Sequence, residues 1–359
     1  MMTDFYCILK YVYERLAELK EELFCKRKHN KFDNETKNIF LLTSPEYGNL
    51  GDHAIASSML GFVKEQFSEY KIYEIPDSEF GNSISWIVKN NKRDDFIFLI
   101  GGGNFGILYP KIEYWRRLVI RKCKNAKIVL FPQSSVWRTD LHDKLQLQRS
   151  IRIYSNNQNL YLMAREKNTY NLIKQNFKNK VYLTPDIVLT KKYVANLTEK
   201  SDYKDTVLLC FRNDIEKSLK TETITEIEKI ISSKGYLMKN FDTETYRVIP
   251  AANREAVLRE TMQLFFNSRY VITDRLHGMI FAAINGVPCL AFDNTTHKVS
   301  GVADKWLSDG NVIIYDNNYA LDDQINMLFQ EKRYAYNQES ALKVFNAVFR
   351  EIADKEGVY

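Results

Sequence analysis

The stretch YVITDRLHGMIFAAINGVPCLAF, residues 270–292, contains two short apolar runs, one at each end, with a longer and largely apolar segment between them. YVIT and VPCLAF are predicted strands, and the segment between them is a predicted helix. Parallel strands are joined by such a crossover helix, whereas antiparallel strands need only a short turn. This stretch therefore predicts an α/β fold with a parallel sheet.

The same alternation of strands and helices continues through the rest of the chain. Short apolar runs recur from residue 39, and segments with helical periodicity or loop composition separate them. The polar stretch TKKYVANLTEKSDYKDT at 190–206 interrupts the series, which then restarts with VLLCF. A doubly wound sheet on each side of this junction predicts two Rossmann-like domains facing a cleft.

The predicted domain boundaries follow from this division. They are 1–38 for an N-terminal amphipathic helix, 39–189 for the N-terminal Rossmann-like domain, 190–206 for a linker, 207–330 for the C-terminal Rossmann-like domain, and 331–359 for a C-terminal helix that could cross back to the first domain. The chain is thus predicted to consist of two similar halves flanked by terminal helices.

Apolar residues recur at helical spacing in the N-terminal segment, and charged residues fill the other face. The apolar set is Phe5, Ile8, Leu9, Val12, Leu16, Leu19 and Leu23, and the charged set is Glu14, Glu18, Lys20 and Glu21. The first interpretation is that the helix packs on the body of the protein. Peripheral contact with a membrane, beside the basic run CKRKHN, is the alternative.

The composition indicates a globular protein, because 45% of the 359 residues are hydrophobic and 13% are aromatic. The net charge of +6 is spread along the chain, which fits anionic small molecules or an anionic membrane face at least as well as nucleic acid. We predict no nucleic-acid partner. The cysteines are odd in number and far apart, which predicts reduced thiols. Because the start has no signal-peptide pattern, we predict a cytoplasmic protein, either free or at the inner face of the cell membrane.

Ligands of open parallel sheets bind beyond the carboxyl ends of the strands, so the residues that follow each strand are the candidate site. After IFLLT, the turn SPEYGNLGDHA offers Asn49, Gly51 and Asp52 at a helix start. Such starts bind anions through their amides, with Asp52 as a helix cap. A capped turn without a ligand explains the same residues equally well.

The glycines in IGGGNFG have the spacing of a dinucleotide fingerprint, which would indicate a nicotinamide or flavin enzyme. The match is weak because no acidic residue follows about 20 positions later. Close approach of a ligand or of the opposite domain to Gly102 and Gly103 is the preferred interpretation, with Asn104 as a polar contact. Gln133 in FPQSS and Lys298 in HKVSG are further candidates for the cleft.

Two further strand ends carry charged residues. Arg165 emerges beside Glu166 after LYLMA, and it either pairs with Glu166 at the surface or points into the cleft. Asp186 lies in a turn of TPDIVL, where a structural role is at least as well supported as a catalytic one.

The strongest signal is the first turn after YVIT. Asp274 ends the strand and can cap the helix, leaving Arg275 and His277 beside its amides. A guanidinium and a helix N-terminus together favour phosphate or carboxylate, and a histidine is the natural proton carrier near neutral pH. A lone histidine is more often structural, but an arginine two residues away at a strand end favours a functional one.

In chain order, YGNLGDHAI, FLIGGGNFG, FPQSS, AREKNTY, TPDIVL, RLHGMIFAAINGVPCLAF and HKVSG resemble the polysaccharide pyruvyl transferase family, over residues 39–302. The resemblance implies a glycosyltransferase-B-like fold and transfer of pyruvate from phosphoenolpyruvate onto a sugar as a ketal. It implies donor-binding and catalytic positions at Arg165, Arg275, Leu276 and His277, with Gly278 in the same turn.

By this resemblance, the acceptor is a glycan or a lipid-linked oligosaccharide of a surface polysaccharide, exopolysaccharide or capsule. His277 would supply a proton. Arg275 would stabilise the departing phosphate and Arg165 would hold the carboxylate, or the two arginines would take the opposite groups. The sequence has no P-loop, HExxH, paired CxxC or Asp-x-Asp motif, so we expect no metal and no cofactor beyond the co-substrate. A nucleotide-sugar glycosyltransferase of the same fold and a non-catalytic polysaccharide-assembly protein are the alternatives, and the oligomeric state is left open.

Overall fold

The structure is a computed structural model that describes residues 2–24, 32–191, 205–214, 219–308 and 310–354. It divides into two compact units. The first unit comprises Met1–Glu46, Met59–Thr184 and Ala347–Tyr359, and the second comprises Tyr47–Ser58 and Pro185–Asn346. Most of the predicted linker 190–206 and the whole of CKRKHN lie outside the described residues. The predicted domain limits stay predictions.

The first unit contains a seven-stranded sheet in which all strand pairs are parallel. The strands are β1 (Asn38–Ser44), β2 (Lys71–Pro76), β3 (Phe96–Leu99), β4 (Gly102–Gly106), β5 (Lys127–Val136), β6 (Leu160–Ala164) and β7 (Lys180–Leu183). Their order is β2–β1–β3–β5–β6–β7, and β4 pairs with β5 off this path. Every residue of β1 is buried, as expected for an apolar strand whose sheet is covered on both faces.

Helices surround this sheet and bury its apolar side chains. They are α1 (Met2–Phe24), α2 (Leu50–Gln66), α3 (Phe80–Asn90), α4 (Pro110–Lys122), α5 (Leu141–Ser155), α6 (Lys167–Asn176) and the end of α12 (Glu339–Asp354). Phe349 of α12 packs against Phe62 and Phe98, with ring centroids 5.2 and 5.8 Å apart. Within the described residues, none of the helices is long and apolar enough to cross a bilayer.

The second unit contains a five-stranded parallel sheet in the order β9–β8–β10–β11–β12. Its strands are β8 (Thr206–Cys210), β9 (Leu237–Phe241), β10 (Tyr270–Thr273), β11 (Cys289–Ala291) and β12 (Val312–Ile314), and its helices are α7 (Thr221–Ser233), α8 (Arg254–Phe266), α9 (Leu276–Ile284), α10 (Lys298–Trp306) and α11 (Leu321–Gln330). This is a doubly wound strand order. The predicted α/β class with two parallel Rossmann-like sheets is confirmed.

The orientation of α1 differs from the simplest expectation for an amphipathic helix. Its charged face is turned towards α4 and α5, where Glu14 and Glu18 are buried, whereas Phe5 and Leu16 on the apolar face are more than 60% exposed. The helix does pack on the body of the protein. The contact is centred on buried glutamates and not on the apolar stripe, because each buried glutamate has a polar or basic partner.

Candidate functional site

The chain reverses its winding direction in the second sheet between β8 and β10. These strands are neighbours, and the strands that follow them, β9 and β11, lie on opposite sides of the pair. The loops that leave β8 and β10 must therefore separate, which opens a crevice beyond their carboxyl ends. Doubly wound sheets bind their ligands at this position.

Asp274, directly after β10, ties the two loops together. Its Oδ1 accepts a hydrogen bond from the backbone N–H of Arg212 at 2.8 Å. The predicted role of Asp274 as helix cap is wrong, because the N-cap of α9 is Arg275, whose N–H donates to Thr273 Oγ1 at 3.0 Å. Burial raises the pKa of Asp274 to about 6, against the opposing effect of the Arg212 amide and charge.

The guanidinium of Arg275 is held between two carboxylates. Its Nη1 lies 2.7 Å from Asp214 Oδ2, and its Nη2 lies 2.6 Å from Asp242 Oδ1. Arg212 binds Asp214 through two further N–H groups, at 2.9 and 3.1 Å. Burial disfavours charge on Arg275, but the hydrogen bond to Asp242 and the charges of both aspartates outweigh it and raise the pKa of Arg275. The arginine is therefore oriented and charged.

Arg275 keeps one donor that a ligand can use. Its Nε is buried and makes no hydrogen bond within the described ranges. Its side chain also makes no capping bond to α9, so the first amides of this helix are not capped from the N-cap position. A charge-assisted donor beside a helix N-terminus favours an anion.

Arg212, Asp214 and Asp242 are members of this site that were not predicted from the sequence. All three lie directly beyond the ends of β8 and β9. The strand-end rule that selected Arg275 would have found them if it had been applied to VLLCF and YLMKNF. What the rule could not give is their mutual pairing, which depends on tertiary structure.

His277 lies on the first turn of α9, and its side chain is 11% exposed. The ring packs against Phe281, with centroids 6.0 Å apart. Its Nε2 is 3.6 Å from Asp186 Oδ2, which is close enough for charge interaction but too long for a hydrogen bond. Among the described residues, this buried Nε2 has no hydrogen-bond partner. Buried polar atoms are rarely left unsatisfied, so Nε2 is a position where a ligand or water is expected.

Asp186 has the structural role that the sequence allowed, and it also lies beside His277. Its Oδ1 accepts from the N–H of Val188 at 3.0 Å and so caps the short 3₁₀ turn Ile187–Thr190. Its Oδ2 is the atom that faces His277. The carboxyl group is almost completely buried. The carboxyl group that caps this turn thus also lies beside His277.

Gly51 is the residue against which the other ring nitrogen of His277 packs. A Cβ built on Gly51 would lie 2.1 Å from His277 Nδ1, which is closer than two non-bonded atoms approach. Asn49 Oδ1 accepts from the N–H groups of Gly51 and Asp52, at 3.0 and 3.2 Å. The predicted cap at Asp52 is therefore wrong, since Asn49 caps α2 while Asp52 accepts from the hydroxyl of Tyr47 at 2.9 Å.

Replacing Gly51 by alanine is expected to displace the His277 ring and to lower kcat by about 100-fold, the typical effect of a misplacement of roughly 1 Å. The matched control is Gly61→Ala in the same helix, where an added Cβ meets no atom within 4 Å. Gly61→Ala should keep full activity and gain about 0.5–1 kcal/mol of stability from helix propensity. Equal activities for the two variants, measured with matched unfolding curves, would contradict this role of Gly51.

Arg165 and Gln133 lie in the first unit and are buried. Arg165 is 2% exposed, and its Nε donates to Ser134 Oγ at 2.8 Å. The surface position that the sequence left open for Arg165 is wrong, and the neighbouring Glu166 caps α6 through the N–H of Thr169. Gln133 Nε2 donates to the carbonyl of Ile100 at 2.7 Å. Gln133 therefore ties β5 to the end of β3.

The glycine-rich segment forms a strand of its own. Gly102–Gly106 is β4, which pairs with β5, and a Cβ on Gly106 would lie 2.1 Å from the carbonyl oxygen of Val136. A dinucleotide fingerprint requires a turn between a strand and a helix, so the nicotinamide or flavin alternative has no structural support here. The carbonyl of Asn104 accepts from Arg116 Nη1 at 2.9 Å, so Arg116 anchors the tip of this segment.

The second unit brings Gly51, Asp186, Arg275 and His277 into one neighbourhood. Lys298 is buried at the start of α10, which packs against α9. Leu276 is buried, and a Cβ on Gly278 would lie 2.4 Å from Thr273 Oγ1. Leu276 and Gly278 therefore pack the first turn of α9 against the end of β10.

Known proteins resemble this chain in sequence and in fold. A family model described as polysaccharide pyruvyl transferase matches residues 49–296. General stress protein 30 of Bacillus subtilis (strain 168) is 33% identical over 297 residues, 82% of this chain and 85% of the relative. Pyruvyl transferase 1 of Schizosaccharomyces pombe is 26% identical over 317 residues, 84% of this chain and 77% of the relative. The Anabaena protein Alr3699/HepE, solved in complex with UDP and glucose, superposes with a TM-score of 0.52 at 11% identity over 89% of this chain and 100% of that chain, which supports a glycosyltransferase-B-like fold.

Proposed function

Because the chain belongs to the polysaccharide pyruvyl transferase family, we propose that it moves pyruvate from phosphoenolpyruvate to a sugar. The acceptor would be a surface polysaccharide or exopolysaccharide, including capsule, or its lipid-linked precursor. Two hydroxyl groups of one sugar would be joined to the pyruvyl carbon as a ketal, and phosphate would be released.

The observation that supports this function best is the first turn of α9. It presents the buried cation Arg275 and the orphaned Nε2 of His277 at the switch point of a doubly wound sheet. Phosphoenolpyruvate carries a phosphate and a carboxylate, so it needs cationic donors. It also needs a proton donor at its methylene carbon. The turn supplies one group for each requirement.

The proposed reaction begins with proton transfer from His277 Nε2 to the methylene carbon of phosphoenolpyruvate. The adjacent carbon becomes electrophilic, and one sugar hydroxyl adds to it and loses its proton to Nε2 of His277, which restores the acid. The bond from this carbon to the phosphate oxygen then breaks, and the leaving phosphate takes the bonding electron pair. A second hydroxyl attacks the same carbon and loses its proton to the released phosphate, which closes the ketal. The carboxylate of Asp186 would stabilise the imidazolium and orient the ring.

Arg275 would stabilise the negative charge on the departing phosphate through its Nε–H and its fixed positive charge. The amides of the first turn of α9 would add donors for the same group. Arg165, in the first unit, remains our proposed ligand of the carboxylate. A planar guanidinium suits a carboxylate because it can donate two parallel hydrogen bonds.

We propose no metal and no cofactor beyond phosphoenolpyruvate, because the steps above require only proton transfer and electrostatic stabilisation. A lipid-linked acceptor would be reached at the inner face of the cell membrane, which is why we also propose a cytoplasmic protein.

The deciding experiment incubates the full chain with phosphoenolpyruvate and a panel of free and lipid-linked glycans. We expect acceptor-dependent release of phosphate, with one phosphate for each pyruvyl ketal found by mass spectrometry in the product. Phosphoenolpyruvate alone should raise the unfolding temperature, because a ligand that binds only the folded state stabilises it.

The same panel separates the alternatives. A nucleotide-sugar glycosyltransferase would be protected by UDP or a UDP-sugar and not by phosphoenolpyruvate. A non-catalytic assembly protein would release no phosphate with any glycan. Either result, obtained with a folded protein, would overturn the proposed function.

A further inference from the structure

Helix α1 is fixed to the first unit by acidic residues. Glu14 Oε2 lies 2.7 Å from His142 Nε2 and accepts from Gln146 Nε2 at 2.6 Å, both on α5. Glu18 Oε2 lies 2.6 Å from Arg149 Nη1, also on α5. Further along, Glu22 contacts Arg121 and Lys122 of α4 at 2.6 and 3.3 Å. Partly buried ion pairs of this kind define orientation more than they add stability.

This attachment leaves a continuous apolar stripe on the opposite side of the helix. We call it the α1 seam, and its members are Phe5, Leu9, Val12, Leu16, Leu19 and Leu23, which are 44–63% exposed. Tyr6, Ile8 and Tyr13 flank the seam and are also exposed. The helix is about 35 Å long at 1.5 Å per residue. An exposed apolar patch of this extent marks an interaction surface.

The spacing of the seam identifies the kind of surface that it fits. Successive members are separated alternately by four and three residues, which is the repeat of a coiled coil with apolar a and d positions. We propose that the α1 seam binds the α1 seam of a second copy of this chain in an antiparallel helix pair.

Self-association is favoured because the seam is self-complementary. Its spacing reads the same in both directions, so an antiparallel copy would place Phe5 opposite Leu23 and Leu9 opposite Leu19, with Val12 opposite Leu16. A two-fold axis thus brings every layer into register, as a closed isologous contact requires. Each exposed side chain of the seam would then be buried.

The charges that flank the seam favour the antiparallel direction. In a parallel pair, Arg15 at a g position would face Lys20 at the next e position twice, which is repulsive. In the antiparallel pair, Lys20 would face Tyr6, and Ile8 would cover the stem of Glu22. Arg15 would approach its own copy once, and its charge is already balanced by Glu18 at 3.2 Å.

The charge of the helix argues against a lipid surface as the partner. Helices that lie on membranes carry mainly Lys and Arg on their polar face. Here the acidic residues Asp4, Glu14, Glu18, Glu21 and Glu22 outnumber the basic residues Lys10, Arg15 and Lys20. The polar face is, moreover, the face that α4 and α5 cover. The residues of the helix itself therefore offer no electrostatic attraction to an anionic membrane.

The test measures the mass of the full chain by sedimentation equilibrium, with and without the double substitution Leu9→Lys and Leu16→Lys. We expect a dimer for the unmodified chain and half that mass for the variant, with unchanged circular dichroism and unchanged phosphate release. The control carries Val248→Lys and Tyr319→Lys, two side chains of the second unit that are 75% and 64% exposed, and it should stay dimeric.

Disulfide formation tests the direction of the pair, in a background with Cys7→Ser and Cys25→Ser. The double variant Leu9→Cys and Leu19→Cys should form an intermolecular disulfide, whereas Leu9→Cys alone should not. A monomer at all concentrations, a dimer that survives the lysine substitutions, or cross-linking of Leu9→Cys alone would overturn the proposal. So would a monomer that floats with anionic phospholipid vesicles through the seam.

Discussion

Replacing Arg275 by methionine is expected to lower kcat/KM for pyruvyl transfer by about 10²–10³-fold, the usual cost of removing one preorganised donor from developing negative charge. Methionine keeps the length and apolar contacts of the side chain. It removes the Nε–H and the positive charge that Asp214 and Asp242 hold in place. The measurement is the initial rate of acceptor-dependent phosphate release at several concentrations of phosphoenolpyruvate.

Loss of fold must be separated from loss of chemistry, because Arg275 also neutralises two aspartates. Arg275→Lys retains the charge but loses the planar fork, so it should keep more stability than Arg275→Met and still lose most activity. Unfolding curves for both variants provide the comparison. Near-normal activity of the folded lysine variant would show that the Nε–H of Arg275 is not used in the reaction.

Asp242→Asn tests whether phosphate competes with Asp242 for the same guanidinium. Removing this neighbouring charge should lower KM for phosphoenolpyruvate by about fivefold, since a pair of charges at this distance in a solvated site is worth about 1 kcal/mol. An unchanged or higher KM would place the phosphate elsewhere, and Arg275 would then be a structural member of the network with Arg212 and Asp214.

The sequence predicted which strand ends form this site better than it predicted the hydrogen bonds and ion pairs that their side chains make. Parallel strands and crossover helices follow from periodicity alone, so the two sheets and the position of Arg275 and His277 could be predicted. The caps could not, because Asn49 accepts from amides of α2 that Asp52 could equally have served, and the N-cap side chain of α9 makes no capping bond. Local sequence offers several acceptors for one donor, and only the folded backbone decides among them.

Two other differences arise from contacts between distant segments. Gly51 was expected to permit a turn, yet the space that it leaves is occupied by His277, more than 200 residues away in sequence. The apolar periodicity of α1 predicted the helix, but it did not predict which face of the helix packs on α4 and α5. The glutamates could be buried only because α4 and α5 supply partners such as His142 and Arg149. A hydrophobic pattern does not reveal pairing of this kind, because it is interpreted on the assumption that charged faces point to water.

Replacing His277 by asparagine is expected to reduce kcat by about 10²–10⁴-fold, the contribution of a positioned general acid. KM for phosphoenolpyruvate should change much less, because the proposed anion ligands are other groups. The matched control is His142→Asn, a second buried histidine that contacts Glu14 and Asp143. It should cost stability but leave turnover per folded molecule unchanged.

The substitution Asp186→Asn tests whether Asp186 assists proton transfer by His277 or has only a structural role. Asp186→Asn keeps an oxygen to cap Val188 but removes the negative charge 3.6 Å from His277 Nε2. The carboxylate would stabilise the imidazolium and orient the ring. Asp186→Asn should therefore lower kcat by about fivefold, since a pair of charges at this distance in a solvated site is worth about 1 kcal/mol. The same substitution should change kcat little when His277 has already been replaced, because residues that act as a unit are not additive. A purely structural Asp186 would lower stability and leave turnover per folded molecule unchanged in both backgrounds, so the double-mutant comparison decides whether this buried carboxyl group takes part in the proton transfer.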